Sequence, residues 1–483
     1  MKQVILIGLL LLCVQAGMLA QAPSKFYCKY GGDGVDIGYG VREIYQRQYV
    51  VIGSTSSYGA GGTDAYLMLI DSMGHLKWQQ TFGGTGADVG KNVLFNPKDS
   101  GFVFAGFTSS FGNGGYDVFV VRTDKRGNKI WQATAGGEDW DFGNDISFGS
   151  DGNLVVCGFS HNRRFGKTDG LLVRLDIENG HILKERIFGG ADQDEFNVIK
   201  MTSEGLLTVV GNTKSYLDSN GDFWMMKVNS NLDSLDTKFL GAANRAEKCY
   251  DFVEDRNNSL VICGSCDTSV AKVGRLESYA IKTNLSGLKT DEIYIPNGKS
   301  DQDLAWSVAV SKYNYTYFFS RRYYFGAFGF DIQPVLIDYN FIPFVATSYG
   351  ELGTDEGYKI VSTIDTGFVV VGSTNGYGAI SEDVCLAKAK EKSIVLPGSQ
   401  VISGEVNQEV NKVNSLYYND FAVFSKNKEL LDFGFQVYAL SGELITRGFS
   451  VHDRVDLSAL DSGIYIIRLI ENPKVFLKFN INK

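Results

Sequence analysis

Three observations make this an all-β chain, a seven-bladed β-propeller followed by a small C-terminal β-sandwich. A unit of about 53 residues repeats seven times, each unit holds four strand-like segments, and the last seventy residues carry a different alternating pattern. The composition suits short strands and tight turns, with 56 glycines in 483 residues, only 7 prolines and 13% aromatic residues. Scarce proline, abundant aromatics and an ordinary 21% of charged residues together exclude a disordered or collagen-like chain. A net charge of -9 without a long basic run excludes a general nucleic-acid binder.

The chain opens with Lys2, an apolar run through Leu12 and small residues at Gly17, Ala20 and Ala22, the layout of a secretory signal peptide over residues 1–20. That run is shorter than the ~20 residues a bilayer-spanning helix needs. No other segment is apolar for long enough, so no transmembrane helix is expected.

The propeller is expected over residues 26–395, where three markers hold register. An acid falls at Asp36, Asp88, Asp141, Asp194, Glu247, Asp303 and Asp355, in steps of 52 to 56 residues. Seventeen residues after each, eighteen in the second unit, comes Gly53, Gly106, Gly158, Gly211, Gly264, Ser320 or Gly372. A second acid lies eleven residues further on, at Asp64, Asp117, Asp169, Asp222, Asp331 and Asp383, with Glu277 two residues late in the fifth unit. Within a unit the second segment is the most apolar, as in YVVIGST, FVFAGFT and FVVVGST. Its length, β-branching and flanking glycines read as a strand buried on both faces. Four antiparallel strands per unit, stacked seven times, bury every blade against its neighbours and leave only short edges.

The seventh unit supplies three strands, and FYCKY (residues 26–30) stands in the phase of a fourth, so the N-terminal strand is expected to complete the last blade. This puts Cys28 on the strand beside Cys385 and suggests a disulfide; SIVLP (residues 393–397) competes for the same place and would leave Cys28 free. Cys157 and Cys263 read as small core residues. Cys263-x-x-Cys266 has no second pair and the four histidines are scattered, so neither metal nor cofactor is expected.

The loops bearing both acid series emerge on one face. The acids could form a ring for cations or cap backbone N–H groups of Gly-rich loops, and capping is the expected role because the device recurs in every blade. On the same face the loops between second and third strands carry Tyr58, Phe111, Arg163, Tyr216, Phe325 and Tyr377, and the sixth is densest, with Arg321, Arg322 and Tyr324. Rings and guanidinium groups there suit a glycan or a protein partner. No zincin, nucleophile-elbow, P-loop or dinucleotide fingerprint is present. The rival to a binding scaffold is an extracellular carbohydrate-active enzyme working in the central depression.

The units, with Gly-Gly, an acid, a Val-x-Gly-x-Thr-Ser strand and an Asp opening a strand such as VFVVRTD, resemble the SBBP family of exported bacterial propeller repeats. The resemblance implies a surface or secreted binding scaffold and transfers no catalytic residue. Residues 396–412 read as a linker. Residues 413–483 alternate through Val437–Gly442 (V-Y-x-L-S-G), Asp456–Leu460 (D-L-S-x-L) and Ser462–Tyr465 (S-G-I-Y) to Lys483, without the usual Pro-Asn-Pro near the start. This segment resembles the type A C-terminal sorting domain of the type IX secretion system of Bacteroidetes. The implied partner is that secretion machinery, and the implied location is secreted or attached to the outer-membrane surface.

Overall fold

The apolar second and third segments of each unit are the strands whose two faces are both covered. In the first blade Tyr49–Thr55 and Asp64–Ile70 are buried at every residue, whereas the fourth strand, Leu76–Phe82, is largely exposed. The computed structural model describes residues 25–161, 167–217, 220–241, 245–267, 276–295, 304–311, 317–324, 330–337, 341, 343–345, 353–376 and 381–390, together with seven C-terminal strands between residues 416 and 481. The leader at 1–20, the linker at 396–412, and Arg163, Asp303, Phe325 and Tyr377 lie outside the described residues.

Six four-stranded sheets follow one another in simple up-and-down order, covering residues 36–82, 88–135, 141–188, 194–240, 247–295 and 305–345. The seventh combines Asp355–Thr363, Gly367–Thr374 and Asp383–Lys390 with the N-terminal strand Lys25–Tyr30. The ring is closed by packing as well as by pairing. Seven hydrophobic clusters each join two adjacent blades. One of them sets Val369, Val371, Val384 and Leu386 of the seventh blade against Val41, Val51, Tyr66 and Met68 of the first. Burial of these strands on both faces is the dominant favourable term for such a ring.

The C-terminal strands form two small sheets. Leu444–Phe449, Gly434–Ala439, Gly463–Leu469 and Phe476–Ile481 make one, and Leu416–Asn419, Ala422–Ser425 and Arg454–Asp456 the other. Among the described residues there is no α-helix, and a single 3-10 turn spans Tyr45–Arg47.

Register corrects two expectations. Cys28 pairs with Leu386, and Cys385 with Lys29. Opposed residues share a face and adjacent ones do not, so the two thiols lie on opposite faces of the seventh blade and both are free. Cys28 packs toward the first blade and Cys385 toward the sixth. In the sixth blade the glycine marker falls on Arg321 rather than Ser320. Ala305 pairs with Arg321, as Gly38 does with Gly53. Ser320 is instead a fully buried residue whose hydroxyl donates to the Gly357 carbonyl at 2.8 Å.

Candidate functional site

The first strand of every blade breaks register once, after its third residue in six blades and after its first, Ala305, in the sixth, so one residue per blade is bulged out of the ladder. The breaks fall between Gly38 and Gly40, Gly90 and Asn92, Gly143 and Asp145, Phe196 and Val198, Cys249 and Asp251, Ala305 and Ser307, and Gly357 and Lys359. The bulged residues touch from blade to blade around the axis. Tyr250, Trp306, Tyr358 and Tyr39 form an aromatic arc with ring centroids 4.6, 5.5 and 5.4 Å apart. The Lys91 ammonium sits 4.0 Å above the Tyr39 ring. The amide of Asn144 then donates to the Phe196 carbonyl at 2.9 Å, and that of Asn197 to the Cys249 carbonyl at 2.8 Å. Each bulged residue is half-buried, and five of the seven stand between buried neighbours, while Lys91 and Tyr358 are followed by the half-buried Asn92 and Lys359.

Beneath this ring, Asp251 accepts from Lys200 and Lys359, both at 2.8 Å, and from Ser307 at 2.5 Å. Burial alone would raise its carboxyl, but the two ammonium groups override that and hold it well below the usual carboxylate range. Lys91 has no such partner: among the described residues no carboxylate lies within salt-bridge distance, and burial pulls its ammonium down to about 8.

The acids of both series are buried, apart from the half-buried Glu277 and Asp331 and the undescribed Asp303, and they hold loops. Asp36 accepts from the Gly32 N–H at 2.8 Å and the Ser57 hydroxyl at 2.6 Å, and Asp88 and Asp194 repeat the pattern on Gly84 and Ser110, and on Gly190 and Ser215. In the second series Asp64 accepts from Ala60 at 3.0 Å and Asp117 from Asn113 and Gly114 at 3.1 Å. Acids of adjacent blades flank one glycine: a Cβ on Gly83 would come 2.2 Å from Asp64 and 2.4 Å from Asp88, and Gly136 stands likewise between Asp117 and Asp141, and Gly189 between Asp169 and Asp194. Asp222, Asp355 and Asp383 are buried too, while Asp331 is only partly so, and burial followed by the Asp355 charge pushes it up to about 6.

Of the loop residues singled out in the sequence, three are described, and all three turn down onto their own blades. The hydroxyls of Tyr58 and Tyr216 donate to the carbonyls of Gly31 at 2.8 Å and Gly189 at 2.9 Å. Tyr216 also stacks on Phe239 with centroids 4.4 Å apart, and Phe111 packs beside Phe119 at 5.9 Å. Arg321, Arg322 and Tyr324, expected in a loop, belong to the strand Tyr317–Tyr324, opposite Gln333, Ile332 and Phe330. The Tyr-Tyr run after the arginines has high strand propensity and carries the ladder to Tyr324.

Tyr58 and Tyr216 nevertheless stay 38% and 36% exposed, and a larger exposed aromatic site lies where blades two and three meet. Phe107, Tyr116, Trp140, Phe142, Phe159 and His161 form one connected cluster. Phe142 is its hub, stacked on Phe159 at 4.8 Å and set edge-on to Phe107 at 4.8 Å. Trp140 caps it edge-on, 5.7 Å from both Tyr116 and His161, and is 50% exposed. Its backbone is fixed by a bridge to Tyr116 and by the His161 N–H donating to its carbonyl at 2.9 Å. Gly115 lies under the indole, where a Cβ would come 2.2 Å from Nε1. In the other blades the Trp140 position holds Val35, Ala87, Gln193, Ala246, Gln302 or Thr354. The place of Phe107 and Phe159 holds Ser54, Asn212, Ser265, Arg322 or Ser373. The fold therefore has no need of rings at these places.

The molecule is thus a seven-bladed β-propeller with a preformed aromatic platform where its second and third blades meet. No protein-family model and no curated protein matches the sequence. Solved structures similar to it include PorZ, described as an essential bacterial surface component of the type IX secretion system of Porphyromonas gingivalis, at 13% identity and TM-score 0.45, over 94% of this chain and 60% of that one. The polysaccharide lyase Uly1 follows at 10% identity and TM-score 0.44, over 74% and 90% of the two chains. Sqt1 from Chaetomium thermophilum is similar at 11% identity and TM-score 0.40, over 72% and 87%. The chain thus spans less than two thirds of the PorZ chain.

Proposed function

We propose that this is an exported, non-enzymatic binding propeller whose platform takes a cell-surface glycan. The observation that carries the reading is the half-exposed Trp140 held rigid over five partly buried rings, two of which, Phe107 and Phe159, stand where other blades have serine, asparagine or arginine. A rigid indole offers a flat apolar face at little entropic cost, and His161 adds a polar edge. The scale favours a sugar over a protein. One exposed ring flanked by half-buried ones matches a pyranose face, whereas a stable protein interface buries about 800 Å² per partner.

Titration of the full chain with a panel of neutral oligosaccharides, followed by tryptophan fluorescence and calorimetry, tests this. Binding should be lost in Trp140→Ala with the melting temperature within about 1 °C of the parent, because the side chain is half-exposed. Equal binding by the variant would reject the platform. Release of reducing ends would turn the reading toward the enzyme, and capture of a protein dependent on Trp140 would turn it toward a protein partner.

Export through a cleaved leader and a type IX sorting domain belongs to the same reading. Its support is the leader-like start, the sorting motifs after Val413 and the two small sheets those residues build. Deleting residues from Val413 onward should leave the propeller in the periplasm, as read by protease accessibility on intact cells. Surface delivery of the truncated chain would reject the sorting role.

A further inference from the structure

The axial channel holds a feature that the glycan reading does not use. Arg42, Lys91, Lys200 and Lys359 face two carboxylates, Asp145 and Asp251, in the ring and the layer beneath it, in a molecule of net charge -9. Lys200 and Lys359 are both committed to Asp251. The Arg42 Nε donates to the Val93 carbonyl at 3.1 Å with Asp145 as its nearby counter-charge, and Asp145 is already bonded to the Asn92 amide and to the N–H groups of Ile146 and Ile199. Lys91 is the cation left over, and it rests on the Tyr39 ring alone. Across the arc the Trp306 indole N–H is buried without an acceptor. That N–H is sealed from solvent, so what the channel offers a ligand is the half-buried Lys91 ammonium, without a counter-ion, beside a run of rings.

We propose that the axial channel is a second site, which holds the carboxylate of an acidic sugar, a uronate, against Lys91 while its ring lies along the aromatic arc of Tyr39, Tyr358 and Trp306. The carboxylate supplies the missing counter-charge, and the apolar C–H face stacks on the tyrosines and the indole. A bare inorganic anion would satisfy Lys91 and leave the arc unused. Two carboxylates nearer the mouth, Glu195 and Glu356, are held by the Asn212 amide at 2.7 Å and the Tyr358 hydroxyl at 2.9 Å, which keeps them on the wall. The site does not depend on the platform being occupied.

The test is calorimetric titration of the full chain at pH 6.5 with trigalacturonate, its neutral galactose counterpart and inorganic phosphate. The acidic trimer should bind at least tenfold more tightly than the neutral one. Lys91→Met should erase that preference while leaving any neutral-sugar affinity unchanged, Lys91→Arg should keep it, and Trp306→Leu should weaken the acidic trimer several-fold because it removes a ring of the arc. Trp140→Ala, which removes the platform, should leave the acidic preference intact, so the two sites fail separately. Equal affinity for the acidic and neutral trimers would overturn the proposal, as would an acidic preference surviving in Lys91→Met. Phosphate binding as tightly as the trimer would overturn the assignment to a sugar. Should Lys91→Met not fold, the comparison of parent, Lys91→Arg and Trp306→Leu decides alone: a Trp306→Leu affinity equal to the parent's would refute the arc.

Discussion

At the scale of single residues, the sharpest contrast is between Asp251 and Lys91, two charges of one channel. Asp251 is 1% exposed and held by two ammonium groups, so the fold stabilises its charge. Lys91 is drawn down to about 8 by burial alone, so the fold resists its charge. The sign follows from linkage. With a folded value below the unfolded one, the unfolded chain binds more protons between about pH 8 and 10.5, and stability must rise with pH across that window. Lys91→Met removes the resisted charge. It should therefore melt higher than the parent at pH 7, by on the order of 1–3 °C, with the difference fading as the pH approaches 10.5. Parallel thermal melts at pH 7 and pH 10 check this, and a variant that melts lower at pH 7 would show that the Lys91–Tyr39 contact stabilises the ring instead. A side chain that weakens the fold where a methionine would strengthen it fits a residue kept for binding.

At the scale of strands and loops, the sequence carried what recurs and concealed what departs. Seven units, four strands each and closure by residues 26–30 were all legible, because a strand buried on both faces must be apolar along its length and its turns need glycine. The bulges were not legible. One residue slipped from a ladder changes which face its neighbours occupy and leaves no mark in the hydrophobic pattern, so Tyr39, Lys91 and Trp306 could not be assigned to the channel. The same blindness moved the marker of blade six by one residue, from Arg321 to Ser320. The recurring loop aromatics invited a binding role; in the structure Tyr58 and Tyr216 are partly exposed while their hydroxyls tie down the neighbouring Gly-Gly loop. The platform was the reverse case. Phe107 and Phe159 read as ordinary strand residues until the repeats are compared position by position, where serine, asparagine and arginine elsewhere show these rings to be additions.

For the whole molecule, closure is the property on which everything else depends, since the ring, the channel and the mouth exist only if the seventh blade meets the first. The strand Lys25–Tyr30 is joined to both sides. It pairs with Asp383–Lys390, Lys29 lies 3.1 Å from Asp383, and the Tyr27 hydroxyl donates to Asp355 at 2.8 Å. Across the junction the Tyr30 hydroxyl donates to the Gly74 carbonyl of blade one at 2.7 Å, and Phe26 meets Tyr49 edge-on at 6.0 Å. A chain beginning at Gly31 would lose all of these contacts and leave Asp383–Lys390 with an unpaired edge beside an opened core, a template for association with another copy. Such a chain should melt well below the parent and self-associate as its concentration rises, as read by calorimetry and light scattering. A synthetic peptide of residues 25–30 added in excess should raise the melting temperature and reduce the association, since it restores the missing edge. A truncated chain that stays monomeric and melts with the parent would show that the six inter-blade cores elsewhere hold the ring unaided. The paired removal and return of one strand is therefore the direct measure of how much of this propeller's stability resides in its closure.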